Sequence, residues 1–194
     1  MIPVALALVA CGGSREASPG GQPPSTAGTT TTATTTTTAA DPLAGAGTDP
    51  VTAPASATAT ALLERIAVGR HEGYDRVVFQ FRNHTPGFRV DYVEPPFEED
   101  GSGNPVDVAG TAFVRVRMEA ASGFDLNTGE GELVYKGPRR IEGADADASV
   151  VKELVRTGDF EAVLTWVIGL DERVDFRVQT LADPPRLVVD FRSH

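Results

Sequence analysis

Every aromatic residue of this chain lies beyond Leu62: nine Phe, three Tyr and the single Trp166 fall within residues 62–194. A hydrophobic core needs that apolar mass, so only the C-terminal part of the chain can fold around one. Residues 12–61 instead carry one Arg, three acids and a concentration of Thr, Ala, Pro and Gly. Such a composition buries too little apolar surface to offset the entropy of ordering, and residues 11–61 are expected to form a disordered tether. Within it, residues 29–38 hold nine Thr in ten positions, with Pro19, Pro23, Pro24, Pro42, Pro50 and Pro54 on either side. A Thr/Pro/Ala stretch of this kind is a solvated spacer and a substrate type for O-glycosylation. As a coil of about 50 residues it would span roughly 40 Å on average, with an extended limit near 170 Å.

Beyond residue 61 the hydrophobic period is two. Residues 75–82 (DRVVFQFR) place Val77, Phe79 and Phe81 on one face and Arg76, Gln80 and Arg82 on the other. Residues 111–118 (TAFVRVRM) turn Phe113 or Val114 inward with Val116, and Arg115 and Arg117 outward. Residues 160–169 (FEAVLTWVIG) align Phe160, Ala162, Leu164, Trp166 and Ile168, and their opposite face is only partly polar, as a central strand requires. Further strands are predicted at 62–68, 88–92, 150–157, 176–181 and 186–191. Thr157-Gly158-Asp159 predicts a hairpin turn. About eight short strands with no 3.6-residue period imply an all-β fold, an antiparallel β-sandwich or barrel. Residues 120–149, rich in Gly, Asp and Glu, read as one long connection, a place where function concentrates.

Charge and motifs narrow the chemistry. Of the net charge of −10, −8 belongs to residues 62–194, which makes nucleic acid a poor partner and gives no attraction to anionic lipid. One Cys permits neither an internal disulfide nor a Cys-based zinc site in the folded part. His71, His84 and His194 are scattered, and no nucleophile elbow, P-loop, H-E-x-x-H or dinucleotide fingerprint occurs. Asp100, Ser102 and Asn104 have the alternation of a calcium loop, but Pro105 and Thr111 stand where its Gly and Glu belong. Paired acids for glycoside hydrolysis exist at Glu98-Glu99-Asp100 and at Asp145 with Asp147, in loops where charges are ordinarily solvated. The expectation is a non-enzymatic protein with no cofactor and no metal. Sugars are recognised by aromatic faces beside hydrogen-bonding groups, which selects Tyr92, Phe97, Tyr135, Arg139 and Arg140 as candidate ligand-binding residues. Trp166 is assigned to the core.

Residues 1–10 (MIPVALALVA) form an apolar run that ends at Cys11 before Gly12-Gly13-Ser14. The Leu8-Val9-Ala10-Cys11 sequence resembles the lipobox of bacterial lipoproteins. That resemblance implies cleavage before Cys11 and a diacylglyceryl group on its thiol, which makes a stable anchor because each buried methylene contributes about 0.8 kcal/mol. No Lys or Arg precedes the run, so residues 1–10 read as a truncated or mis-started signal peptide.

Four blocks of residues 62–194 are similar to the AMIN-like domain of Gram-positive lipoproteins: Tyr74-Asp75-Arg76-Val77-Val78-Phe79, Pro86-Gly87-Phe88-Arg89-Val90-Asp91-Tyr92, Gly158-Asp159-Phe160-Glu161-Ala162 and Asp183-Pro184-Pro185-Arg186-Leu187-Val188-Val189-Asp190. The resemblance implies a two-sheet β-sandwich, an extracytoplasmic location facing the cell wall, and binding of peptidoglycan glycan or another envelope component. It supplies no catalytic residues, and no amidase domain accompanies it here. The alternatives are a protein-interaction module of the envelope and a wall-polymer hydrolase using loop carboxylates. In the last block Arg186 and Asp190 share the face opposite Leu187 and Val189, which predicts a cross-strand ion pair on a solvated face worth 0 to about 1 kcal/mol.

Overall fold

The computed structural model describes residues 41–194. Fifteen strands follow in chain order. The first seven are β1 (Val51–Ala53), β2 (Ala61–His71), β3 (Tyr74–Phe81), β4 (Gly87–Val93), β5 (Phe97–Glu98), β6 (Pro105–Val106) and β7 (Ala112–Glu119). Four short ones come next, β8 (Ala121–Ser122), β9 (Phe124–Asp125), β10 (Glu132–Leu133) and β11 (Arg140–Glu142). A 3₁₀ turn at Gly143–Ala146 then leads into β12 (Val151–Phe160), β13 (Val163–Leu170), β14 (Phe176–Ala182) and β15 (Pro185–Arg192). The larger sheet has the order β1-β4-β7-β13-β12-β11 and the smaller β14-β15-β3-β2-β8; only the β2–β8 pairing is parallel. The all-β sandwich expected from the period-two pattern is therefore the fold.

The core lies between the inward faces of the two sheets. Val77, Phe79 and Phe81 of β3 and Leu187, Val189 and Phe191 of β15 are buried together with Val114, Val116 and Met118 of β7 and Leu164, Trp166 and Ile168 of β13. Trp166 is fully buried and meets Phe79 and Tyr135 edge on, at centroid distances of 6.3 and 5.8 Å. Of the two inward options on β7, Val114 takes the core side, and Phe113 faces outward under a covering loop. The sheets are also tied by a buried carboxylate: Asp75 Oδ2 accepts hydrogen bonds from the backbone N–H groups of Val150 and Val151, at 2.6 and 3.0 Å.

Several expectations are corrected. The β12–β13 hairpin turns at Glu161 and Ala162, both at positive φ (51° and 57°), which is the backbone a two-residue type I′ connection demands. Thr157-Gly158-Asp159 instead lies within β12 at a bulge, and Phe160 is left 60% exposed at the strand's end rather than in line with Trp166. Residues 41–60, expected in the tether, belong in part to the fold: Leu43 is fully buried and β1 pairs with β4 as an edge strand. These few apolar residues dock on a sheet formed by the rest of the chain, a contribution that local composition does not reveal. Residues 120–149 hold four short strands and the 3₁₀ turn rather than a plain connection. Residues 1–10, Cys11 and the Thr-rich run lie outside the described residues. Among the described residues no helix is long and apolar enough to cross a membrane.

The expected Arg186–Asp190 pair is corrected too. Asp190 has no exposed surface, and it is Arg76 that grips it in fork fashion, Nε to Oδ1 at 2.6 Å and Nη2 to Oδ2 at 2.9 Å. Arg177 and Gln179 on β14 add donors at 3.0 and 3.2 Å. Arg186 turns instead to the carbonyls of Pro184 and Asp183. Both carboxylate oxygens of Asp190 are thereby satisfied, as burial of a charge requires.

Candidate functional site

The outward face of the larger sheet is crossed by residues 94–111, which act as a strap. Its own hairpin pairs Phe97 with Val106 and Glu98 with Pro105. The strap is then fastened to the sheet at several places. The backbone N–H of Asp100 donates to the carbonyl of Thr157 at 2.8 Å, at the bulge of β12, and that of Thr111 donates to the carbonyl of Leu170 at 2.8 Å. Glu153, buried on β12, accepts from the N–H of Ala109 and from Arg140, while Arg140 also donates to the carbonyl of Asp107 at 2.9 Å. The Phe97 ring stands edge on to Phe113 at 5.1 Å.

Glycine makes this approach possible at Gly169, where an added Cβ would collide with the carbonyl oxygen of Ala109. The sheet face can be crossed so closely because no side chain rises there.

Two clefts flank the strap. The first, about 410 Å³, has Arg115 and Arg117 of β7 and Thr165 and Val167 of β13 as its sheet side. Thr157 adds a hydroxyl, and the strap contributes Pro96, Phe97, Glu98 and Asp100. Arg115 is fixed by Asp91, which is buried and also holds Arg89 at 2.9 Å. Among the described residues Arg117 reaches only Glu119, at 3.6 Å, and so keeps donors for other partners. The second cleft, about 380 Å³, is bounded by Glu99, Asn104, Asp107, Arg139, Arg140 and Arg156. There Glu99 accepts from the Ser102 hydroxyl at 2.7 Å and pairs with Arg139. These contacts, Ser102 first and Arg139 next, pull its carboxyl down to about 2. A carboxylate so stabilised carries no proton to donate near neutral pH.

Of the five residues selected by sequence, the structure thus brings three to the strap: Phe97 in the first cleft and Arg139 and Arg140 in the second. Tyr92 and Tyr135 line neither cleft. Tyr135 is buried against Trp166, its hydroxyl donating to the carbonyl of Pro138 at 3.0 Å. Tyr92 donates to the carbonyl of Val174 at 2.7 Å and accepts from its N–H at 3.0 Å, with Arg173 lying over the ring at 3.9 Å. Burial raises the hydroxyl pKa of both; the Tyr135 ring lies in the core, and Arg173 covers one face of the partly buried Tyr92 ring. Sequence reasoning missed Arg115, Arg117, Thr157 and Thr165. Alternation alone placed the two arginines outward; what it lacked was that residues 94–111 return over that face. Of the acidic pairs, Glu98 and Asp100 line the first cleft, while Asp145 and Asp147 stand exposed at the 3₁₀ turn. Ser102 and the amide of Asn104 both turn to Glu99.

Sheet order, the buried inter-sheet carboxylate and the strapped outer face together define a two-sheet β-sandwich domain. The AMIN-like domain family model matches residues 61–193, and the chain belongs to that family. No curated protein and no solved structure matches the chain.

Proposed function

We propose that this is an extracytoplasmic, non-enzymatic lipoprotein, anchored through Cys11, whose sandwich binds a cell-wall glycan in the first strap cleft. The observation that carries the reading is the composition of that cleft: an aromatic side chain, Phe97, beside the guanidinium of Arg117 and the hydroxyls of Thr157 and Thr165. Sugar rings present apolar C–H faces and a fringe of hydroxyls, which need an aromatic contact and fixed donors and acceptors. Arg117 also suits the carboxylates of wall peptides.

Purified protein is expected to sediment with peptidoglycan sacculi without releasing soluble fragments, and Phe97→Ala with Arg117→Ala to abolish retention. Retention unchanged in that double variant would reject the cleft; release of fragments, lost in Glu98→Gln or Asp100→Asn, would establish a hydrolase instead. The anchor has a separate test, since Cys11→Ala should shed the protein from the membrane fraction or leave an unprocessed precursor.

A second reading has its own support. Phe124 and Leu133, paired across β9 and β10, and the adjacent Leu126 are exposed apolar residues, as is Phe160. Apolar exposure of this kind marks contact with a protein partner. Crosslinking at residue 126 that recovers a defined envelope protein, together with no retention on sacculi, would favour it.

A further inference from the structure

The outward face of the smaller sheet carries a charge opposite to that of the chain. The register sets Arg186, Gln80 and Arg65 in one row across β15, β3 and β2, and Val188, Val78 and Ala67 in the next. Asp190, Arg76 and Gly69 form the third, with Arg177 beside Asp190 on β14. Four arginines thus stand against Asp190 and the rim acid Glu64, in a chain of net charge −10. Asp190 is already shared between Arg76 and Arg177.

Arg65 and Arg186 differ from that pair. Among the described residues neither has a carboxylate within ion-pair distance, and the Nε and Nη2 of Arg186 are steadied by two backbone carbonyls, at 3.1 and 3.3 Å. Arg65 and Arg186 line one cleft of about 180 Å³ together with Ala67, Val78 and Gln80. The Gln80 amide has only a long contact, 3.4 Å, to Glu64. Two guanidiniums without a carboxylate partner, set on either side of Gln80 beside the apolar Ala67 and Val78, supply the fork-shaped donors that a tetrahedral oxyanion takes, Arg65 with all its donors and Arg186 with those not held by the two carbonyls.

We infer that Arg65 and Arg186, with the Gln80 amide, form an anion site on the smaller sheet that takes a phosphodiester group, its flanking carbons resting on Ala67 and Val78. The site lies on the opposite sheet from the strap clefts and is independent of the glycan reading. The volume admits one phosphate with a short alkyl or glycerol portion. A long polyanion would meet repulsion from the acidic remainder of the chain, so contact is confined to this face.

The test uses the whole chain and three probes: soluble poly(glycerol phosphate), vesicles of phosphatidylglycerol, and poly-glutamate at the same charge. Binding to either phosphodiester probe, with at least a tenfold loss in Arg65→Ala/Arg186→Ala and unchanged thermal melting, is the expected result. The soluble polymer alone would identify a wall-type phosphodiester, and vesicles alone a lipid headgroup. The inference is overturned if neither phosphodiester probe binds, if the double variant binds like the parent, or if poly-glutamate binds equally well. Because Phe97 and Arg117 are intact in the double variant, retention on sacculi reports the strap clefts separately.

Discussion

Asp190 illustrates how far a side chain's meaning depends on its neighbours. On a solvated face its ion pair would be nearly dispensable, but buried under Arg76, Arg177 and Gln179 it is, among the described residues, the only carboxylate paired with these two partly covered guanidiniums. Asp190→Ala should therefore lower unfolding stability by about 3 kcal/mol, read as a shift in the urea midpoint, whereas Arg186→Ala should change it by less than about 0.5 kcal/mol. Glu99 allows a second measurement. Its folded-state carboxyl, near 2, lies below the ordinary 4.5, so its stabilising contribution is fully present above 4.5 and disappears only as pH falls through about 2. A carboxyl-carbon NMR titration should place its midpoint near 2, and Ser102→Ala or Arg139→Ala should raise it toward 4.5. A midpoint already near 4.5 in the parent would remove the Ser102–Glu99–Arg139 contacts from the folded state in solution.

Among elements, the strap is held against the sheet by two glycines that are not equivalent. At Gly169 the obstacle to a methyl is backbone, the carbonyl of Ala109, while at Gly158 it is the side chain of Asp100, which can swing away. Gly169→Ala should destabilise by about 1–3 kcal/mol and open residues 94–111 to limited proteolysis. Gly158→Ala should cost less and leave the strap protected. The main strands were legible because Val77, Phe79, Phe81 and their counterparts alternate cleanly, and alternation reports which face is buried. The turn at Glu161 and Ala162 was not, because neither residue type favours positive φ and Gly158 nearby offered a more familiar signal. The strap escaped notice for a different reason: β5 and β6 are two residues long, too short for any period, and their place is fixed by long-range contacts from Thr157, Glu153 and Arg140. Arg139 and Arg140 could be singled out as loop arginines, yet sequence could not show that they fasten the strap through Glu99 and Asp107.

For the molecule as a whole, the family match begins at residue 61, but the fold reaches further back. Leu43 is fully buried, Gly47 exchanges backbone hydrogen bonds with Phe176 at 2.8 and 3.1 Å, and β1 closes the edge beside β4. A chain starting at residue 61 should be less stable than one starting at residue 41 by about 2–3 kcal/mol, the burial of one Leu and its surroundings, and should melt several degrees lower. Equal melting temperatures would show that the segment adds nothing. The same segment brings Asp41 against Arg192, with Oδ2 and Nη2 at 2.9 Å, so residues 151 positions apart in sequence are neighbours in space. A domain whose entry and exit points touch can be spliced into another chain, or rejoined end to end and cut afresh at the exposed 127–130 turn, without stretching the sheets. For the described domain this means that its two ends share one pole, so a partner joined at residue 41 and one joined at residue 194 would be attached at the same place.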